Sequence, residues 1–146
     1  MRGKQLEKKI KAVCLKARLA KEALVLQIPT PMAFTAKGVI PQQSTVDYVG
    51  CLKGGTFIAF DAKETKSLTS FPLANIHNHQ TEYLQSVEAL GGVAFFAICF
   101  TSLDAGSVFI LSPQALGSFE RAHSRKSIPL AWLKANTPYK PINQII

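Results

Sequence analysis

The stretch TVDYVGCLKGGTFIAFDAK, from Thr45 to Lys63, decides how this chain folds. Two apolar runs flank Lys53-Gly54-Gly55, which predicts strands over residues 44–49 and 56–63 joined by a tight turn. Side chains alternate faces along a strand, so Asp61 and Lys63 point one way and Phe60 and Ala62 the other. The same rule puts Thr45 and Asp47 on one face. With the hairpin centred on Gly54, Asp47 stands opposite Asp61, with Cβ atoms about 5 Å apart. A turn centred between Gly54 and Gly55 shifts the register by one residue, and both registers are open at this point.

Working outward, residues 3–22 carry Leu6, Ile10, Val13, Cys14 and Ala17 at helical spacing, with lysines over most of the rest. Residues 23–28 read as a strand closed by Pro29 and Pro31. Residues 29–43 hold three prolines and one glycine with little periodicity, and are expected to project as an exposed excursion. Residues 66–75 read as a polar loop, and 76–90 as a helix ended by Gly91-Gly92. Strands are expected at 93–100 and 108–111. Ser112-Pro113 opens a helix running to about residue 123, with proline in its first position. Beyond it, Pro129, Pro138 and Pro141 suggest a tail lying over the surface. The expected fold is one α/β domain over residues 1–146, a mixed central sheet flanked by helices.

The bulk composition fits a globular chain: 47 % of the 146 residues are hydrophobic and 18 % charged. No apolar run reaches the roughly 18 residues that span a bilayer. The basic N-terminus has no apolar run after it, so no secretory leader is expected and the cytoplasm is the expected compartment. Cys14, Cys51 and Cys99 are odd in number and form no CxxC pair, which argues for reduced thiols rather than disulfides or zinc. The formal net charge of +8 attracts polyanions, nucleic acid first among them.

Two carboxylates facing each other repel, and a fold keeps such a pair when a cation sits between them. Hard oxygen ligands suit Mg²⁺, with Mn²⁺ as a substitute. A lysine two residues on supplies charge beside the cation, where it stabilises a phosphorus centre in reaction. A plain salt bridge on an exposed strand is the more common meaning of D-x-K. Here the strand is otherwise apolar (Phe57, Ile58, Phe60) and the chain is basic.

The pattern D-x13-D-x-K resembles the core of the PD-(D/E)XK nucleases, and longer words are more specific. QSTVDYVG (43–50), FDAKETKSLTSFPLANIHNHQ (60–80) and RKSI (125–128) resemble the RecU family of Holliday junction resolvases, and a short phage-type member fits. The resemblance implies a restriction-endonuclease-like core, and a homodimer that nicks two opposing strands of a four-way DNA junction with Mg²⁺ or Mn²⁺. It implies a metal site of Thr45, Asp47, Asp61 and Gln80, with Lys63 as transition-state stabiliser. Glu7 would be a further acidic residue near the metal; pairing with Lys11 one helical turn on explains it equally well. His77 and His79 are read as backbone or phosphate contacts. The family generally carries Glu where Asp61 stands. Residues 29–43 correspond to its stalk, which reaches into the junction centre and is shorter here.

The basic residues expected on phosphates are Lys8, Lys9, Lys11, Lys66, Arg121, Arg125 and Lys126, gathered on one face. The expected function is resolution of four-way junctions by paired nicks during recombination or repair, in a bacterial cell or a phage-infected host, with a recombinase as a candidate partner. One alternative is a nuclease of the same superfamily acting on other branched or duplex DNA. The other is a non-catalytic accessory protein that binds branched DNA.

Overall fold

The computed structural model describes residues 4–42 and 45–146, so the expected element starts at residues 3 and 44 lie outside it. Helix α1 (Lys4–Leu19) leads into strand β1 (Ala23–Gln27). A two-stranded ribbon follows, β2 (Met32–Thr35) paired antiparallel with β3 (Gly38–Pro41). The hairpin of β4 (Tyr48–Leu52) and β5 (Phe57–Thr65) comes next, then the short strand β6 (Ser70–Pro72) and helix α2 (Asn78–Ala89). Strands β7 (Val93–Phe100) and β8 (Ser107–Leu111) precede helix α3 (Pro113–Ala122). The chain ends through β9 (Ser127–Pro129), helix α4 (Leu130–Asn136) and β10 (Tyr139–Pro141).

The main sheet has six strands in the order β1-β4-β5-β7-β8-β10. Only β5 and β7 run parallel, with α2 as their crossover, so the sheet is mixed as expected. Alternation along β5 and β7 divides the interior. Ala59, Phe96 and Ile98 face Leu84 and Val87 of α2 and Leu116 and Phe119 of α3. Ile58, Phe60, Phe95 and Ala97 face Leu6 and Ile10 of α1. On that second face Tyr48, Phe60 and Phe95 stack in a column, with centroids 4.8 and 4.9 Å apart. Gly50 lets β1 cross close over β4, since a Cβ there would collide with the backbone of Leu24 and Val25.

Three expectations are corrected. The excursion expected over residues 29–43 contains, in its described part, an ordered β-ribbon, exposed almost throughout, with Phe34 90 % accessible. Its pairing was hidden because neither face is buried, so hydrophobicity has no period-two signal there. The polar loop 66–75 contains β6, which pairs with β9 through Phe71 opposite Ile128. The tail beyond residue 124 does not lie loosely over the surface, because Ile128, Leu133 and Ile142 are core residues. Its prolines bound short edge elements, the positions where a missing N–H is tolerated: Pro129 caps α4 and Pro141 ends β10 at the sheet edge. Among the described residues no helix is long and apolar enough to cross a membrane. All three cysteines are free.

Candidate active site

The register of the β4–β5 hairpin is set by Tyr48 opposite Phe60, which centres the turn on Gly54. Gly54 and Gly55 both take positive φ, 93° and 94°, which glycine adopts without strain. Continued by one residue, that register brings Asp47 opposite Asp61. The backbone N–H of Asp47 donates to Asp61 Oδ1 at 2.9 Å, and the N–H of Ala62 donates to Asp47 Oδ2 at 3.4 Å. The Asp61 carboxyl is thus held by the backbone of Asp47, and the Asp47 carboxyl by that of Ala62.

Asp61 is 1 % accessible, at the centre of an apolar strand. Lys63 lies on the same face of β5, with Nζ 3.0 Å from Asp61 Oδ2 as an ion pair. That oxygen is buried, and the Lys63 ammonium is the partner it has. Burial and the neighbouring Asp61 charge push the Asp47 carboxyl up to about 7, against smaller opposing effects of the Ala62 N–H and Lys63. The site is short of positive charge for the two carboxylates it holds.

Gln80 sits in the first turn of α2, 7 % accessible, and its Oε1 is buried without a partner. The carboxylates of Asp47 and Asp61 and the unpartnered Oε1 of Gln80 are all hard oxygen donors. Their chemistry suits a hard divalent cation. Thr45 is exposed and precedes β4, which begins at Tyr48 rather than at the expected 44, so strand alternation does not tie Thr45 to Asp47.

Glu7 is half-buried on α1, which packs on the sheet face opposite Asp61. Its charge acts on the buried Tyr48 phenol, which desolvation first, then Asp47 and Glu7, hold above its ordinary range. Among the described residues no three His, Cys, Asp or Glu side chains form a metal-ligating group. The Tyr48 hydroxyl is, like Gln80 Oε1, a buried oxygen without a partner. Strand reasoning places Tyr48 in the core by alternation but gives no sign of its unpaired hydroxyl. His77 caps α2 and stacks on His79, with ring centroids 5.7 Å apart.

The expected basic residues do not share one face. Lys8 and Lys11 are exposed on α1, on one side of the sheet, and Arg121 ends α3 on the other. Lys9 is half-buried and donates to the carbonyl of Ala105 at 2.8 Å. Lys66, Arg125 and Lys126 are exposed around the β6–β9 ribbon, beyond the C-terminal end of β5. A polar cleft of about 270 Å³ lies there, lined by Glu64, Thr65, Lys66, Pro72 and Asn75.

The family model for Recombination protein U, RecU, matches residues 1–144. A Holliday junction resolvase RecU of Oceanobacillus iheyensis is 34 % identical over 157 aligned positions, covering 97 % of this chain and 79 % of the relative. One from a Geobacillus species is 36 % identical over 143 positions, covering 88 % and 70 %. Among solved structures, Hjc, a Holliday junction resolvase of the archaeal hyperthermophile Archaeoglobus fulgidus, superposes with a TM-score of 0.54 at 12 % identity, over 95 % of this chain and 98 % of that one. At that identity the likeness concerns the fold, a restriction-endonuclease-like core. By the match along nearly its whole length, the chain belongs to the RecU family.

Proposed function

We propose that this chain is a structure-selective endonuclease that resolves four-way DNA junctions by paired symmetric nicks, in the cytoplasm of a bacterium or a phage-infected cell. The observation that carries the reading is the buried Asp47–Asp61 pair with Lys63 on Asp61, set into a basic chain whose relatives bear the name Holliday junction resolvase. The donor set of Asp47, Asp61 and Gln80 would hold Mg²⁺, or Mn²⁺ in its place, with Thr45 within reach in sequence only. When bound, the cation supplies Lewis-acid polarisation of the scissile phosphate.

The chain's own groups do the rest. In the resting state the Lys63 ammonium offsets one of two adjacent carboxylates. With a phosphate present, the same ammonium faces the charge that develops on its non-bridging oxygens, and the low-dielectric setting of Asp61 strengthens that interaction. Burial of Asp61 and the backbone N–H bonds keep the carboxyls from moving as charge builds up, which lowers the reorganisation needed. Lys66, Arg125 and Lys126 hold flanking phosphates without reading bases. The β2–β3 ribbon enters the junction centre. The protein works as a homodimer, because a branched substrate of near two-fold symmetry calls for two active centres. A recombinase is a candidate partner.

The test compares a synthetic four-way junction with a linear duplex of the same sequence, using wild type, Asp47→Asn and Lys63→Ala in Mg²⁺, with nicks mapped on all four strands. Symmetric paired nicks on the junction alone are expected. They should fall by at least about 100-fold in either variant while binding persists, and vanish in excess EDTA. Equal cutting of the duplex would replace the reading with a general nuclease, and binding without cutting would replace it with an accessory protein.

A further inference from the structure

Strand β5 does not stop at the active site. Beyond Asp61 and Lys63 it runs on through Glu64 and Thr65. At about 3.3 Å per residue, Thr65 lies about 13 Å from Asp61, the rise of roughly four stacked nucleotides. There the strand end borders the polar cleft of about 270 Å³, which Lys66, Pro72 and Asn75 complete. Pro72 ends β6, and Asn75 ends the 3-10 turn Leu73–Asn75, which leads into α2 and Gln80. The cleft is thus joined to the carboxylate site by β5 on one side and by the start of α2 on the other.

The walls of the cleft are fixed. The Thr65 carbonyl accepts from the Thr101 N–H at 3.0 Å and from the Thr101 hydroxyl at 3.3 Å. The Thr65 hydroxyl accepts from the Ser67 N–H at 3.1 Å. Across the cleft, the Leu73 N–H donates to the Lys126 carbonyl at 2.9 Å, and Phe71 is buried opposite Ile128. Asn75 differs from these groups. It is half-buried, and its side-chain amide has no hydrogen-bond partner among the described residues. An amide carries two donors and an acceptor. A rigid frame here presents an unused hydrogen-bonding pattern, as a recognition site requires.

We propose that the cleft reads the edge of one base of the cut strand, with Asn75 as the specificity-determining residue and an amino-bearing base, adenine first, as its ligand. The inference rests on the reading of the chain as a DNA nuclease and adds selection by sequence to it. Three features favour a base over a phosphate. The first is charge. The lining holds one carboxylate, Glu64, and one ammonium, Lys66, whose formal charges cancel. A carboxylate repels phosphate oxygens, whereas a base edge offers donors and acceptors without charge.

The second is chemistry. An asparagine amide matches N6 and N7 of adenine, and a carboxylate accepts from an exocyclic amine such as that of cytosine. The third is size. The cleft is smaller than the roughly 300–1,000 Å³ of sites that enclose a whole small molecule, so it admits an edge rather than a nucleotide. Lys66 is exposed, so its stem lines the cleft while its ammonium reaches the phosphate beside the base.

The experiment uses four-way junctions randomised over about four positions on each side of the nick, the reach set by the strand length above. Bound molecules are sequenced in EDTA and cut molecules in Mg²⁺, with wild type, Asn75→Ala, Asn75→Asp and Lys66→Ala. Preference is a ratio within one reaction, so a general loss of activity or stability cancels. Wild type is expected to favour adenine at one position by roughly fivefold or more. Asn75→Ala should flatten that position. Asn75→Asp should move it toward cytosine, because a carboxylate accepts from an amine but has no donor for N7. A residue with a structural role alone would not exchange one base for another. Lys66→Ala should weaken binding of all sequences alike and keep the preference. A wild type without preference in this window, or a preference that both Asn75 variants keep, would overturn the proposal. Selective binding without cutting, lost in Asn75→Ala, would leave the cleft standing and remove the nuclease. Cutting without any base preference would do the reverse.

Discussion

Asp47 and Asp61 face each other across one rung of the β4–β5 ladder, and burial makes the doubly ionised pair costly. Burial and Asp61 raise the Asp47 carboxyl to about 7. A carboxyl raised on folding binds more protons folded than unfolded, so stability declines as pH climbs from the unfolded value near 4 through about 7. In EDTA the melting temperature of the wild type is therefore expected to fall across that window and to recover on adding Mg²⁺ at pH 8. Asp47→Asn should flatten the pH dependence and melt about 3 °C or more above wild type at pH 8 in EDTA. Thermal melts from pH 4 to 8 check this, and a wild-type curve flat over that range would contradict it. A residue that costs stability in this way is one the fold retains for chemistry.

Among the elements, α1 and the β2–β3 ribbon obey opposite rules. Helix α1 ends at a lysine in the left-handed region: Lys21 has φ 58°, with its N–H on Arg18 O and the N–H of Glu22 on Ala17 O. A Cβ is strained there, so Lys21→Gly is expected to raise stability by about 1 kcal/mol, read from urea melts. The ribbon buries little and Phe34 is almost bare. Phe34→Ala should leave stability within about 0.5 kcal/mol. If the ribbon enters the junction, the same change lowers the preference for junction over duplex, measured by competition binding. Equal preference in wild type and variant would take the ribbon out of recognition. The helical stripe of Leu6 and Ile10 was legible because it buries a periodic face, and β7 because it is a continuous apolar run buried on both faces. β6 and β9 were not, because three-residue strands carry no period and owe their pairing to Phe71 and Ile128 meeting in the core.

For the molecule as a whole, the +8 charge is spread over both sides of the sheet, with Lys66, Arg125 and Lys126 grouped where β5 leaves the active site. Each phosphate contact releases counterions, so junction affinity should fall linearly with the logarithm of salt concentration. Arg125→Ala/Lys126→Ala is expected to reduce that slope by about 2 while the cutting rate at saturating enzyme stays unchanged. Filter binding between 50 and 200 mM salt, as rough bounds, measures it. An unchanged slope would move the phosphate contacts to α1, where Lys8 and Lys11 are exposed.

The local information in this chain determined a great deal: that β1, β5, β7 and β8 are strands, that Asp61 and Lys63 share a face, and that two glycines turn the hairpin. Those follow from side-chain alternation and backbone stereochemistry, which act over a few residues. Tertiary structure alone decided the register that puts Asp47 opposite Asp61, because a shift of one residue leaves every local preference satisfied. It also decided that Gln80 presents a buried oxygen without a partner and that the tail closes the core. Each depends on contacts between residues far apart in the chain, whose free energy resides in packing.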